Sequence, residues 1–373
     1  MSDQRPGSKR LAYIDWMRGL AIVIMIEAHV TDAWTLPADR QSLAFGCAAI
    51  LAGCAAPMFL FLAGVSVALA ASAGQRKLGD PARAAGRVRR RGWEVFGLAY
   101  LFRFQAYILN PKAMMAGLLK VDILNIMGPS IVATAALWQV ARRNSRRMLV
   151  FGGAALAVTL VTPLIRTAGW VNWLPDMMQW YLRPTPGRNN FTLFPWAGFV
   201  FAGGMVGVLL DYPRESVSER RFHLVAGLTS LLFAVACYAG SYLPSIYADS
   251  QFWTSSPMFF LLRVGLMTAT LSAVYFWEQR PKLLADRFGW KTSPMALFGR
   301  SSLFVYWVHV ELVYGVFTQR FHRKLAFSDT VLAFAVFTLF MYGVTLLKNQ
   351  GVSRWKAWRA AVASARGSMV EKA

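Results

Sequence analysis

The chain has 373 residues, of which 56% are hydrophobic, 14% aromatic and only 16% charged. That composition excludes an ordinary soluble globular protein, and recurring apolar runs of about 20 residues give an all-α, polytopic membrane protein. A formal net charge of +22 would fit nucleic acid, but the basic residues lie in short segments between apolar runs, which excludes a nucleic-acid-binding domain.

Residues 1–13 form a polar, basic tail, and no small-residue cleavage site follows, so the first apolar run reads as a retained helix. About ten spans are expected, over 14–34, 44–74, 92–110, 122–141, 148–166, 192–210, 224–243, 257–277, 297–317 and 327–347. The second is longer than a bilayer requires and holds Gly53, Pro57 and Gly64, so a break or a strong tilt is expected there. With the N-terminus inside, the inner segments carry 28 Lys/Arg and the outer ones 9, leaving Arg18, Arg103 and Arg263 within spans. Both termini are then cytoplasmic, with a transmembrane domain over 14–347 and a basic tail over 348–373. Cys47, Cys54 and Cys237 fall in apolar runs and read as small core residues, giving no disulfide framework and no metal site. The longest outer loop, 167–191, carries Trp170, Trp173, Trp180 and Tyr181, then Arg183, Arg188, Asn189 and Asn190. This composition suits a sugar ring and a membrane-interface belt alike.

Ionisable groups within spans are costly and mark functional sites. In the first span Arg18 and His29 are eleven residues apart. That step turns a helix by about 1100°, which brings both onto one face about 16 Å apart. Asp32 lies a turn beyond His29, where a carboxylate can orient an imidazole base, whereas Glu27 lies near the face opposite Arg18. In the segment 298–311, Ser302 and His309 share a face, with Tyr306 one turn from the histidine. The other two histidines, His223 and His322, are expected in solvated loops. The run Arg83, Arg87, Arg89, Arg90, Arg91 reads as a topology anchor on anionic lipid or as a grip on phosphates. Arg103 lies inside the third span, Asp122 and Asn125 open the fourth, and Phe194-Pro195-Trp196 opens the sixth. There is no Gly-rich phosphate loop and no Gly-x-Ser-x-Gly elbow.

Four segments resemble, in order, the catalytic domain of heparan-alpha-glucosaminide N-acetyltransferase and its bacterial relatives. They are Ile14-Asp15-Trp-Met-Arg18-Gly19-Leu-Ala, Pro57-Met-Phe-Leu-Phe-Leu-Ala-Gly64-Val-Ser66, Leu193-Phe-Pro195-Trp196-Ala-Gly198 and Gly299-Arg300-Ser-Ser302-Leu-Phe-Val-Tyr306-Trp-Val-His309. The Arg18–His29 spacing is also similar to that of the integral-membrane enzymes that O-acylate bacterial surface glycans. In the lysosomal enzyme of the first family a histidine lies between the first two spans, and none occurs here between Val30 and Pro57. The base that the resemblance implies is therefore His29, oriented by Asp32. It further implies acetyl-CoA taken from the cytoplasmic side as acyl donor, without a metal, and transfer to a hydroxyl or amine of a glycan or lipid-linked sugar outside. Arg18 and Arg103 would hold the donor, and Asp122, Trp196, Ser302 and Tyr306 the acceptor. His309 would be a second catalytic residue and polar wall of the same cavity, binding the acceptor or carrying an acyl group. The setting is a multi-pass protein of a bacterial inner membrane, in contact with lipid and compatible with a homodimer. A proton-coupled transporter of an envelope precursor is the alternative, although no inverted repeat supports it.

Overall fold

A computed structural model describes residues 11–109, 115–211, 219–280 and 293–370. The basic tail over 1–10 lies outside the described residues. Helices α1 (Ala12–Trp34), α2 (Leu43–Ala52), α3 (Ala55–Leu78), α4 (Pro81–Leu109), α5 (Ile123–Val140), α6 (Asn144–Thr167) and α7 (Asp176–Leu182) make up the first half. They are followed by α8 (Leu193–Leu210), α9 (Glu219–Gly240), α10 (Pro257–Glu278), α11 (Pro294–Arg300), α12 (Ser302–Tyr314) and α13 (Phe327–Val370). Among the described residues the only β-type pairings are two isolated bridges, Thr35 with Leu325 and Val121 with Asn189.

Local chemistry sets the helix ends. Ser42 caps α2 by accepting from the Phe45 amide at 3.2 Å, and α3 stops at Gly79, whose φ of +66° is the left-handed conformation glycine adopts freely. Asp122 and Asn125 form a reciprocal capping box at the start of α5. Helical φ/ψ in α8 resume only after the extended Phe194, at Pro195.

A helix stands at each of the ten expected positions, and seven helical segments are long and apolar enough to cross a membrane. Of the other three, α1 and α4 are too polar by composition, and α12 has 13 residues. The expected break in the second span is at Gly53-Cys54, between α2 and α3. A second break, at Ser301 between α11 and α12, was not foreseen from the sequence. The expected boundary at 347 is not an end of structure, because α13 continues unbroken for 44 residues.

The bundle is assembled around α1, which buries 15 of its 23 residues. Helix α3 lies along α8, α4 along α5, α6 along α8, and α9 along α10. Close approach depends on small residues, as in membrane bundles generally. A Cβ on Gly64 would strike the Val200 carbonyl and one on Gly203 the Phe61 carbonyl, so α3 and α8 meet backbone to backbone. The same holds for α1 and α11, where Gly19 abuts the Met295 carbonyl and Gly299 abuts the Asp15 carbonyl. The outermost helices are apolar outward, with Leu332 and Leu339 of α13 and Leu232 of α9 exposed. Cys237 is buried as expected, but Cys47 is exposed on α2, so it is not a core residue. His223 was expected in solvent, yet it is 1% exposed on α9 and stacks on Tyr275 at 3.9 Å. His322 is partly buried and donates through Nε2 to the Val313 carbonyl at 2.9 Å.

Candidate active site

One large cavity, about 1630 Å³, runs between α1, α3, α4, α5 and α12. Eight of the nine sequence-derived site residues line it: Arg18, His29, Asp32, Arg103, Asp122, Trp196, Ser302 and Tyr306. The ninth, His309, is fully buried and stands behind His29, so it is not a wall of the cavity.

At one end the backbone interlock of α1 with α11 brings three charged side chains together. The Asp15 carboxylate, whose side chain is 3% exposed, accepts from Arg18 Nη1 at 3.2 Å and from Arg300 Nε at 3.3 Å. Arg18 also donates to Ser66 Oγ, which donates in turn to the Leu62 carbonyl at 2.5 Å. Two guanidinium groups share one carboxylate, so these three side chains together carry one net positive charge, and both arginines line the cavity. Lys77, Arg87 and Arg91 line the same end. The arginine run on α4 is thus divided by helical periodicity. Arg87 and Arg91, four residues apart, line the cavity, while Arg83 pairs with Asp80; Glu94 pairs with both Arg90 and Arg91, so Arg91 lines the cavity as one member of an ion pair.

About 16 Å along α1 the character changes. His29 Nδ1 lies 2.8 Å from His309 Nε2, and His309 Nδ1 lies 2.7 Å from the Val305 carbonyl. The two rings are within 7° of parallel. The expected orienting contact from Asp32 to His29 is not made. Asp32 accepts from the Tyr314 hydroxyl at 3.0 Å and pairs with Arg40 at 3.5 Å, and it is the Tyr314 ring that meets His29 edge-on at 5.5 Å. A residue 280 positions away has taken the place of one a single turn away. Glu27 is buried and its backbone carbonyl accepts from Thr31 at 2.8 Å, off the cavity as its helical phase requires.

Across the cavity Arg103 Nη2 donates to Asp122 Oδ2 at 2.7 Å, which fixes α4 against the cap of α5. A second tie, Trp307 Nε1 to Gln105 Oε1 at 2.6 Å, holds α12 to α4. Lys120, in the connection before α5, lines the same region. Burial holds its ammonium below the usual lysine range, and the neighbouring Arg103 adds to that. The 167–191 loop closes over this end: Val121 N donates to the Arg188 carbonyl at 3.0 Å and Asn190 N to the Val121 carbonyl at 3.1 Å. Asn190, Phe191 and Trp196 line the cavity, whereas Trp173 is 87% exposed. Trp170, Trp173, Trp180 and Tyr181, the loop aromatics singled out in the sequence, are not among the cavity's lining residues.

The family model for the catalytic domain of heparan-alpha-glucosaminide N-acetyltransferase matches residues 10–252. The chain belongs to that family. The match takes in Arg18, His29, Asp32, Arg103, Asp122 and Trp196, whereas Ser302, Tyr306 and His309 lie beyond it. No curated protein matches the chain. Membership in this family, with seven helices able to cross a membrane, makes the protein a multi-pass membrane protein of acetyltransferase type.

Sequence reasoning had not assigned roles to Asp15, Ser66, Arg300 or Tyr314. Asp15 and Arg18 are three apart on one helix, a spacing that signals an ion pair. Arg300 reaches Asp15 only through the Gly19–Gly299 interlock, which no local pattern reveals.

Proposed function

We propose that the protein transfers an acetyl group from cytoplasmic acetyl-CoA to a hydroxyl or amine of a glycan or lipid-linked sugar on the outer side of a bacterial inner membrane. In this reading ten helical segments cross the bilayer and both termini are cytoplasmic. The observation that carries it is one cavity lined by a basic cluster at one end of α1 and by a histidine at the other. The residues fit the donor: the surplus charge of the Asp15–Arg18–Arg300 cluster, with Lys77, Arg87 and Arg91, suits the phosphates of coenzyme A. The distance to His29 is one that an extended pantetheine arm bridges. Acetyl-CoA supplies the activated acyl group. The side chains then bind and orient: His29 takes the proton from the acceptor hydroxyl or amine as that group's bond to the acyl carbon forms and the thioester C–S bond breaks, and then passes that proton to the departing thiolate. An imidazole suits this task because its ordinary pKa lies near working pH. Arg103, Asp122, Tyr306, Trp196 and Ser302 line the space left for the acceptor.

A cavity lined at both ends would also serve a transporter, and one experiment separates the two readings. Acetyl-CoA binding and hydrolysis are measured on purified protein in detergent, for the intact chain, Arg18→Ala and His29→Ala. Weakened binding in the first variant, and lost turnover with intact binding in the second, is the expected result. Absence of binding by the intact chain at low ionic strength would overturn the donor assignment, and proton-coupled uptake into vesicles would establish transport.

A further inference from the structure

His309 is the residue whose role the cavity leaves unexplained, since it is completely buried, lines no open space and yet touches His29. Its hydrogen bonds determine where the protons of both rings are. The Val305 carbonyl can only accept, so His309 Nδ1, 2.7 Å away, must carry a hydrogen. A neutral imidazole has one N–H, so His309 Nε2 is then an acceptor. His29 Nδ1, 2.8 Å from that nitrogen, must therefore be the donor. It follows that the free lone pair of neutral His29 is on Nε2, the ring nitrogen not engaged by His309.

We infer that His309 is a positioning residue that holds His29 in its Nδ1–H tautomer, so that Nε2 is the proton acceptor, and that His309 does not carry an acyl group. The chain of bonds runs Val305 carbonyl, His309, His29, acceptor. It has the form of a triad in which a second imidazole, anchored on a backbone carbonyl, stands where a carboxylate would be. When His29 accepts a proton at Nε2 it becomes a cation with two N–H groups, and its Nδ1–H bond to His309 strengthens because the donor is now charged. The Nδ1 hydrogen need not leave: as the bond from acceptor to acyl carbon forms and the thioester C–S bond breaks, the proton taken at Nε2 passes to the departing coenzyme A thiolate, which returns His29 to its Nδ1–H form. His309 offers no nucleophile in this state. Its Nδ1 is protonated and its Nε2 lone pair is occupied by His29.

This inference rests on the acyltransferase reading only for the word acceptor, because the ring order can be observed directly. Protein labelled with ¹⁵N-histidine and held in detergent micelles at neutral pH gives imidazole resonances for four histidines, assigned by single His→Gln variants. The expected spectrum shows His29 protonated at Nδ1 and bare at Nε2. His309→Gln keeps both bonds, since its amide nitrogen donates and its carbonyl accepts, and should retain this tautomer with turnover within about 10-fold of the intact chain. His309→Leu removes the acceptor. It should mix the tautomers and lower kcat by about 100-fold, short of the ~10⁴-fold loss when a catalytic imidazole is held in the wrong tautomer, with donor KM unchanged. A His29 protonated at Nε2, a His309→Gln variant as impaired as His309→Leu, or labelled acetyl trapped on His309 would each overturn the inference. Should the protein transfer no acyl group while His29 keeps the Nδ1–H form, the acyltransferase reading fails and the ring order stands.

Discussion

The two ends of α1 are built from different chemistry on one rigid rod. At the Arg18 end a buried carboxylate is shared by two guanidinium groups, and the interlock of Gly19 and Gly299 holds the backbones beneath it in contact. At the His29 end the partners form a chain of single hydrogen bonds from ring to ring to a backbone carbonyl, with no charged group in the line. Fixed, surplus charge favours holding an anion. Neutral imidazoles in a defined order favour moving a proton. The contrast separates binding from chemistry along one helix, and substitutions at either end should respect that separation.

The largest effect is expected at the histidine. His29→Ala should lower acyl transfer by roughly 10²–10⁴-fold, with donor affinity unchanged within about 2-fold, read by single-turnover kinetics beside equilibrium binding. Asp15→Ala should act on stability, because it leaves two guanidinium groups facing each other. Since Arg18 and Arg300 are 25% and 43% exposed, water screens part of the penalty. A loss of about 1–3 kcal/mol is expected, seen as a lower midpoint in a detergent melting curve. Arg18→Ala should weaken donor binding by about 10-fold, the scale of one charge-assisted hydrogen bond, while turnover at saturating donor changes little. A kcat loss larger than the affinity loss would break the comparison. Asp32→Asn should be the mildest, less than about 3-fold in kcat. Its carboxylate serves Tyr314 and Arg40, and its side chain is 63% exposed. A collapse of activity in that variant would restore Asp32 as the orienting group.

Much of the site was legible in the sequence, because helical phase is a local property. The eleven-residue step from Arg18 to His29 placed both on the cavity wall, and the same arithmetic placed Glu27 away from it. The starts of α5 and α8 were legible through Asp122, Asn125 and Pro195, each with a known role at a helix start. What could not be read depends on which helices meet. The partner of His29 was sought one turn away on the same helix, whereas packing supplied one from α12. His223 was expected in a solvated loop just ahead of the 224–243 span, yet it lies on α9 and Tyr275 covers it. The break at Ser301 has no proline to announce it, and the role of Arg300 depends on that break together with two glycines on different helices.

Helix α1 is unbroken from Ala12 to Trp34, and this makes it a ruler. Side chains can flex by an ångström or two, but the separation of Arg18 and His29 is set by eleven increments of backbone rise. On the proposed reading a donor is accepted only if its phosphate and its reactive carbonyl are as far apart as the ruler is long. Acyl groups on coenzyme A or on phosphopantetheine meet that measure, and acetyl phosphate, in which the two groups are adjacent, does not. Inserting one residue between positions 18 and 29 would lengthen the ruler by only about 1.5 Å, but would turn the imidazole by about 100° off the cavity.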